Sequence, residues 1–223
     1  MDIAGLAIRM HDADSVLAEL RELYANFQSL AEEYAADRQN PYLCKAGCSH
    51  CCKSGAVFAV TLVEAVLWQR AIAELPNDLL PRVRAEAASL LRLQNDVFAS
   101  LPGPIDVPGE RDDAIFSSRL AVLNASHPAC PLLANDLCSV YDARPMLCRA
   151  YGLPVDAYAV HSPDAIVFRS LCVLYEGMQL SNYIRAKELK VRLTDLSIRL
   201  GGGRDWGRFT SPEAILARLA TVA

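Results

Sequence analysis

Four cysteines, Cys44, Cys48, Cys51 and Cys52, fall close together in the run C-K-A-G-C-S-H-C-C, and Cys130, Cys138, Cys148 and Cys172 follow far downstream. Thiolates are soft ligands that select zinc or iron–sulfur clusters over hard cations. The eight thiols of the chain are enough for two four-thiolate centres. Cys48 and Cys51 have the C-x2-C spacing that turns both sulfurs onto one metal or cluster, and Cys44, a further turn upstream, can reach the same centre. Cys52 adjoins Cys51, so its side chain is expected to point elsewhere, closing a second site or staying unligated. Two centres side by side on this short loop would use every thiol. The bland alternative is a group of buried thiols acting as small hydrophobes. It gives no reason for so many reduced thiols in one short run.

The rest of the composition narrows the setting. With 223 residues, of which 52% are apolar, the chain can build one sizeable core. A formal net charge of -4 argues against general nucleic-acid binding, which leaves a basic footprint. The longest uncharged apolar stretch, Ser54 to Val63, is too short to span a bilayer as a helix, so no membrane partner is expected. The start, M-D-I-A-G-L-A-I-R-M-H-D-A-D, has acids in place of a basic leader region. A cytoplasmic location is the expectation, and there thiols stay reduced, which favours metal ligation over disulfides.

Several helices must position these cysteines. Residues 15–37 carry Val16, Leu20, Leu23, Phe27, Leu30 and Tyr34 at helical spacing, with Asp14 or Ser15 as cap and Asn40-Pro41 as stop. Ala56 to Val60 reads as a short strand or buried coil. Thr61-Leu-Val-Glu64 has the form of a capping box and opens a helix running to Pro76. Another helix follows Pro81 through Val97, and residues 113–123 form one more. The segment Cys130 to Arg149 has two further prolines and little periodicity, as suits folding around an inorganic centre. Residues 165–175 are apolar and ambiguous between helix and strand. Leu180 to Leu200 predicts a helix that ends at Gly201-Gly202-Gly203, and Ser211-Pro212-Glu213 starts a last short one. The expected class is mainly α: one helical domain over 1–223, with irregular cysteine-rich metal-binding segments and few or no strands. Within it, 1–43 is an amphipathic helix, 44–175 the cysteine core and 176–223 the C-terminal helices.

Two separated motifs occur in order: C44-x3-C48-x2-C51-C52, and C130-P-L-L-A-N-D-L-C138-S-V-Y141-D-A-R144-P145-M-L-C148-R149. Together they resemble the YkgJ-type cysteine-cluster family, bacterial proteins described as zinc- or iron-chelating. The resemblance covers roughly residues 44–172 and implies that Cys44, Cys48, Cys51, Cys52, Cys130, Cys138, Cys148 and Cys172 are metal ligands. It leaves zinc or iron open. Cys130-Pro131 and Cys48-x2-Cys51 are similar to ferredoxin ligation, which favours an iron–sulfur cluster, most simply 4Fe-4S, with zinc as the alternative.

Tyr141, Arg144 and Arg149 stand between and beside these cysteines. A thiolate site is anionic, and hydroxyl and guanidinium donors around it would balance its charge and tune its potential. The alternative for the arginines is pairing with Asp142 or a helix end. His50, inside the first group, reads as a polar loop residue. The C-x3-C-x2-C spacing also occurs in radical S-adenosylmethionine enzymes, but the alternating strands of their barrel are missing. Gly201–Gly203 follows a helix and is no nucleotide loop. Three functions follow: an iron–sulfur protein supporting redox or electron transfer to a partner, a zinc protein whose work is protein interaction, and a cluster-dependent modification enzyme.

Overall fold

In the computed structural model the described residues are 1–37, 47–53, 55, 57–103, 108, 111–155, 160–162, 165–167, 172 and 183–219. A short ribbon of β1 (Asp2–Ile3) and β2 (Leu6–Ala7) precedes the long helix α1 (Ala13–Ala36). Its apolar stripe of Val16, Leu20, Leu23, Phe27 and Tyr34 is buried, as the spacing requires. The cap differs from expectation. Asp12, not Asp14 or Ser15, precedes the first turn, with a left-handed backbone (φ 51°) and no side-chain cap.

One turn, α2 (His50–Lys53), carries the second half of the first cysteine group. Strand β3 (Ala59–Thr61) then runs directly into α3 (Leu62–Ala73). Residues Leu62 to Gln69 are all buried, the mark of a helix enclosed on every side. Helices α4 (Leu79–Ser100) and α5 (Asp113–Asn124) follow close to their predicted bounds. The second cysteine segment contains a two-stranded hairpin, β4 (Leu133–Ala134) with β5 (Leu137–Cys138), then a 3-10 turn at Tyr141–Ala143 and the short helix α6 (Met146–Ala150). Strands β6 (Val160–Ser162) and β7 (Ala165–Val167) pair antiparallel. The last elements are α7 (Lys187–Leu200), β8 (Arg208–Thr210) and α8 (Ser211–Leu216).

The mainly helical class expected from the sequence is therefore observed, with small paired strands only. Helix α7 begins later than predicted. Ile184 donates its N–H to the Pro154 carbonyl at 2.8 Å and bridges to Val155, which draws this stretch into extended pairing. No helix among the described residues is long and apolar enough to cross a membrane.

Packing centres on α3, against which α1, α7 and α8 lie, while α4 packs on α8 and α5. Strands β3 and β8 pair antiparallel with Ala59 opposite Thr210 and Thr61 opposite Arg208. Each strand ends in a Thr-x-x-Glu box that starts a helix: Thr61–Glu64 before α3 and Thr210–Glu213 before α8. The acid in each box also takes a second task, because a buried carboxylate must fill its remaining acceptor sites. Glu213 pairs with Arg111 at 2.7 Å, the two side chains being 6% and 3% exposed. Arg111 also donates to the Arg208 carbonyl at 2.7 Å and lies 4.6 Å from the centre of the Phe116 ring. Removing one partner of such a pair strands a buried charge. Arg111→Ala is expected to cost about 3–5 kcal/mol of stability in urea unfolding.

Candidate metal centre

The first cysteine segment is folded by its own backbone and by the second segment. Gly47 takes φ +88°, a left-handed turn that suits glycine. The Ser49 carbonyl then accepts from Cys52 and Lys53 at 3.0 and 3.1 Å, closing the turn of α2. The hairpin β4–β5 turns through Asn135 and Asp136, both at positive φ (50° and 62°), the residue types that tolerate such a tight turn. Asp136 accepts from the Ser49 hydroxyl at 2.8 Å and pairs with Lys53. Cys130 donates its N–H to the Cys52 carbonyl at 2.7 Å. Two stretches far apart in sequence are thus joined backbone to backbone beside their cysteines.

Between them lies a cavity of about 60 Å³. Cys48, Cys51, Cys52, Cys130, Cys138 and Cys148 all line it, together with Phe58, Trp68, Leu147, Tyr141, Arg144 and Tyr151. Cys51 and Cys52 do not diverge as adjacent residues were expected to. Their sulfurs stand 3.7 Å apart. The reason is the helical turn they share, where neighbours are about 100° apart around the axis, not opposite as in a strand. Cys172 is buried (7% exposed) outside the cavity wall. Cys44 lies outside the described residues. His50 is exposed and does not line the cavity.

Among the described residues, no three His, Cys, Asp or Glu side chains already converge as an ion's ligands do. The thiols surround a space and must draw in on whatever fills it, which is the usual coupling of metal binding to folding. Their chemistry fits a cation. Cys51 is pushed well above the ordinary thiol range by its hydrogen bond with Cys52 and then by burial. Cys52 rises from 9.0 to about 12, chiefly through its contact with Cys130. Burial raises Cys138 and Cys148 as well. Arg144 opposes all of this at Cys51, Cys138 and Cys148. Packed this closely the thiols stay protonated, and only added positive charge can hold several of them as thiolates. The indole N–H of Trp68, a residue of the same wall, is buried and has no acceptor among the described residues.

Tyr141 and Arg144 line the cavity beside the thiols. The guanidinium lies 3.5 Å from the centre of the Tyr141 ring and donates to the Tyr141 carbonyl at 3.0 Å. Arg149 does not line the cavity. It lies 4.2 Å from the centre of the Tyr24 ring and donates to the carbonyls of Arg144 and Asp142. It braces the loop that carries Arg144.

Cys148 is placed by Glu64. One carboxylate oxygen accepts from Thr61 N–H and hydroxyl at 3.0 and 2.8 Å. The other accepts from the first N–H of α6, Met146, at 2.7 Å, and from the Tyr24 hydroxyl at 3.3 Å. The capping box gave Glu64 its first task in the sequence. Nothing in the spacing gave the second. Trp68 and Tyr151 were likewise missed, since each reads as one more apolar position.

These features define a class: a mainly helical protein with a cysteine-walled site between two chain segments. A family model described as "CxxCxxCC: Putative zinc- or iron-chelating domain" matches residues 43–165. The chain belongs to this cysteine-rich metal-binding family, the one its two motifs resemble. No curated protein and no solved structure matches the chain.

Two outcomes follow. Glu64→Ala strands the N–H groups of Thr61 and Met146, so it is expected to cost about 2 kcal/mol or more in urea unfolding and to lower metal retention. The thiols predict opposite pH trends. A raised Cys52 stabilises the metal-free fold below pH 9.0, and that contribution is lost as pH rises towards about 12. Metal binding needs thiolates, so affinity should climb with pH, about tenfold per pH unit for each proton released. Thermal melts and metal competition across pH check the two signs.

Proposed function

We propose that the cysteine-walled cavity holds a polynuclear iron–sulfur centre and that the protein gives redox or electron-transfer support to a partner protein in the cytoplasm. The observation that carries this reading is the number of thiols around one space. Six described cysteines line it, more than the four a single tetrahedral ion takes. The cavity of about 60 Å³ has the room of roughly two water molecules, more than one ion fills. The ligands would come from Cys48, Cys51, Cys52, Cys130, Cys138 and Cys148, with Cys44 as a further member of the first motif and Cys172 standing outside this wall. When bound, such a centre supplies one-electron redox chemistry.

The chain's own residues would set its environment. Arg144 offsets thiolate charge, the Trp68 N–H offers a hydrogen bond to sulfur, and Phe58, Leu132 and Leu147 keep the wall apolar. Each of these is a recognised means of moving a cluster's potential.

One distance favours a second reading, a zinc centre that holds the loops for protein interaction. The 3.7 Å between Cys51 and Cys52 sulfurs is close to the edge of a tetrahedron with Zn–S bonds of about 2.3 Å, about 3.8 Å. Anaerobic purification followed by iron, sulfide and zinc analysis separates the two. The iron–sulfur reading expects brown protein with iron and acid-labile sulfide in comparable amounts, bleached by dithionite. Colourless protein with stoichiometric zinc overturns it. Cys48→Ser is expected to lower metal content and the melting temperature under either reading. Full occupancy and an unchanged melt would remove Cys48 from the ligand set.

A further inference from the structure

A second, larger cavity of about 370 Å³ adjoins the thiol site. Phe58 and Leu147 stand in the walls of both. Its volume falls within the range of small-molecule pockets, about 300–1,000 Å³. The lining is mostly apolar, with Phe27, Leu120, Met146 and Leu193 from four different helices.

The polar groups in it divide into spent and unspent ones. Glu64 is occupied by Thr61, Tyr24 and Met146. Asn124 is occupied on both atoms by Val57, accepting its N–H at 3.2 Å and donating to its carbonyl at 2.6 Å. Arg208 is different. It is half-buried in the wall, opposite Thr61 across the β3–β8 ribbon, and its guanidinium has no hydrogen-bond or ion-pair partner among the described residues. Lys190 stands in the same wall and is engaged by an interaction of its own. An arginine half-buried in the wall of an apolar cavity is matched by a carboxylate, which its guanidinium can grip with two parallel hydrogen bonds.

We propose that this cavity is a binding site for a small organic carboxylate with an apolar body. The carboxylate rests on Arg208, and the body lies against Phe27, Phe58, Leu120 and Leu193. The site stands on its own lining and does not depend on which metal the thiols hold. Its nearness to them, across Phe58 and Leu147, places a bound molecule against α6, the helix that carries Cys148.

Calorimetric titration of the full chain with octanoate, and separately with 1-octanol, tests it. Octanoate is expected to bind saturably at one site, and octanol roughly tenfold or more weakly, because it lacks the charge-assisted bond. Arg208→Met keeps the backbone carbonyl that Arg111 uses and should erase the preference for octanoate, while Arg208→Lys should retain part of it. Leu120→Trp, which adds bulk to the cavity wall, should abolish binding of both. Unliganded melting curves matching the parent protein show that each variant folds. Absence of saturable octanoate binding, equal binding of octanol, or undiminished octanoate binding by Arg208→Met would each overturn the proposal. So would undiminished binding by Leu120→Trp.

Discussion

The carboxylate of Glu64 ties the metal-site helix to the core. It is 3% exposed, and it accepts hydrogen bonds from the cap of α3, from the start of α6 and from Tyr24 of α1. A buried carboxylate is costly unless such bonds surround it, and surrounded in this way it fixes three elements at once. Cys148 therefore inherits its position from the centre of the fold. On the other side of the site, Cys52 and Cys130 are fixed to each other through one backbone hydrogen bond. The thiols belong to irregular segments, yet each segment is tied to something rigid.

The electrostatics of the site follow from that placement. Close packing and burial keep Cys51, Cys52, Cys138 and Cys148 protonated, with Arg144 as the nearby compensating charge. A soft cation reverses the balance: it turns mutual repulsion among thiolates into shared ligation, and releases protons in doing so. The ring of six thiols thus reads as a site that metal completes. The same logic of a carboxylate with two tasks recurs at Glu213, where Arg111 and the start of α8 are held together away from the thiols.

Much of this was legible in the residues. The apolar spacing of Val16 to Tyr34 gave α1, Thr61-x-x-Glu64 gave the start of α3, and the two cysteine motifs gave the family. What escaped were long-range partnerships. Local spacing carries no sign that Glu64 meets Met146, that Ile184 pairs with Pro154 and Val155 and so delays α7, or that Arg149 turns to Tyr24. The adjacent pair Cys51-Cys52 misled for a related reason. Whether neighbours diverge depends on backbone conformation, and the helical turn that Ser49 closes brings both sulfurs to one cavity.

In the proposed polynuclear centre, sulfur from both segments surrounds more than one metal atom. X-ray absorption at the metal edge of the purified, metal-loaded protein tests it most directly. Such a centre gives a shell of sulfur neighbours around the metal and a second shell of metal–metal scattering. A spectrum dominated by oxygen or nitrogen neighbours, or a sulfur shell with no metal–metal component, rules that centre out.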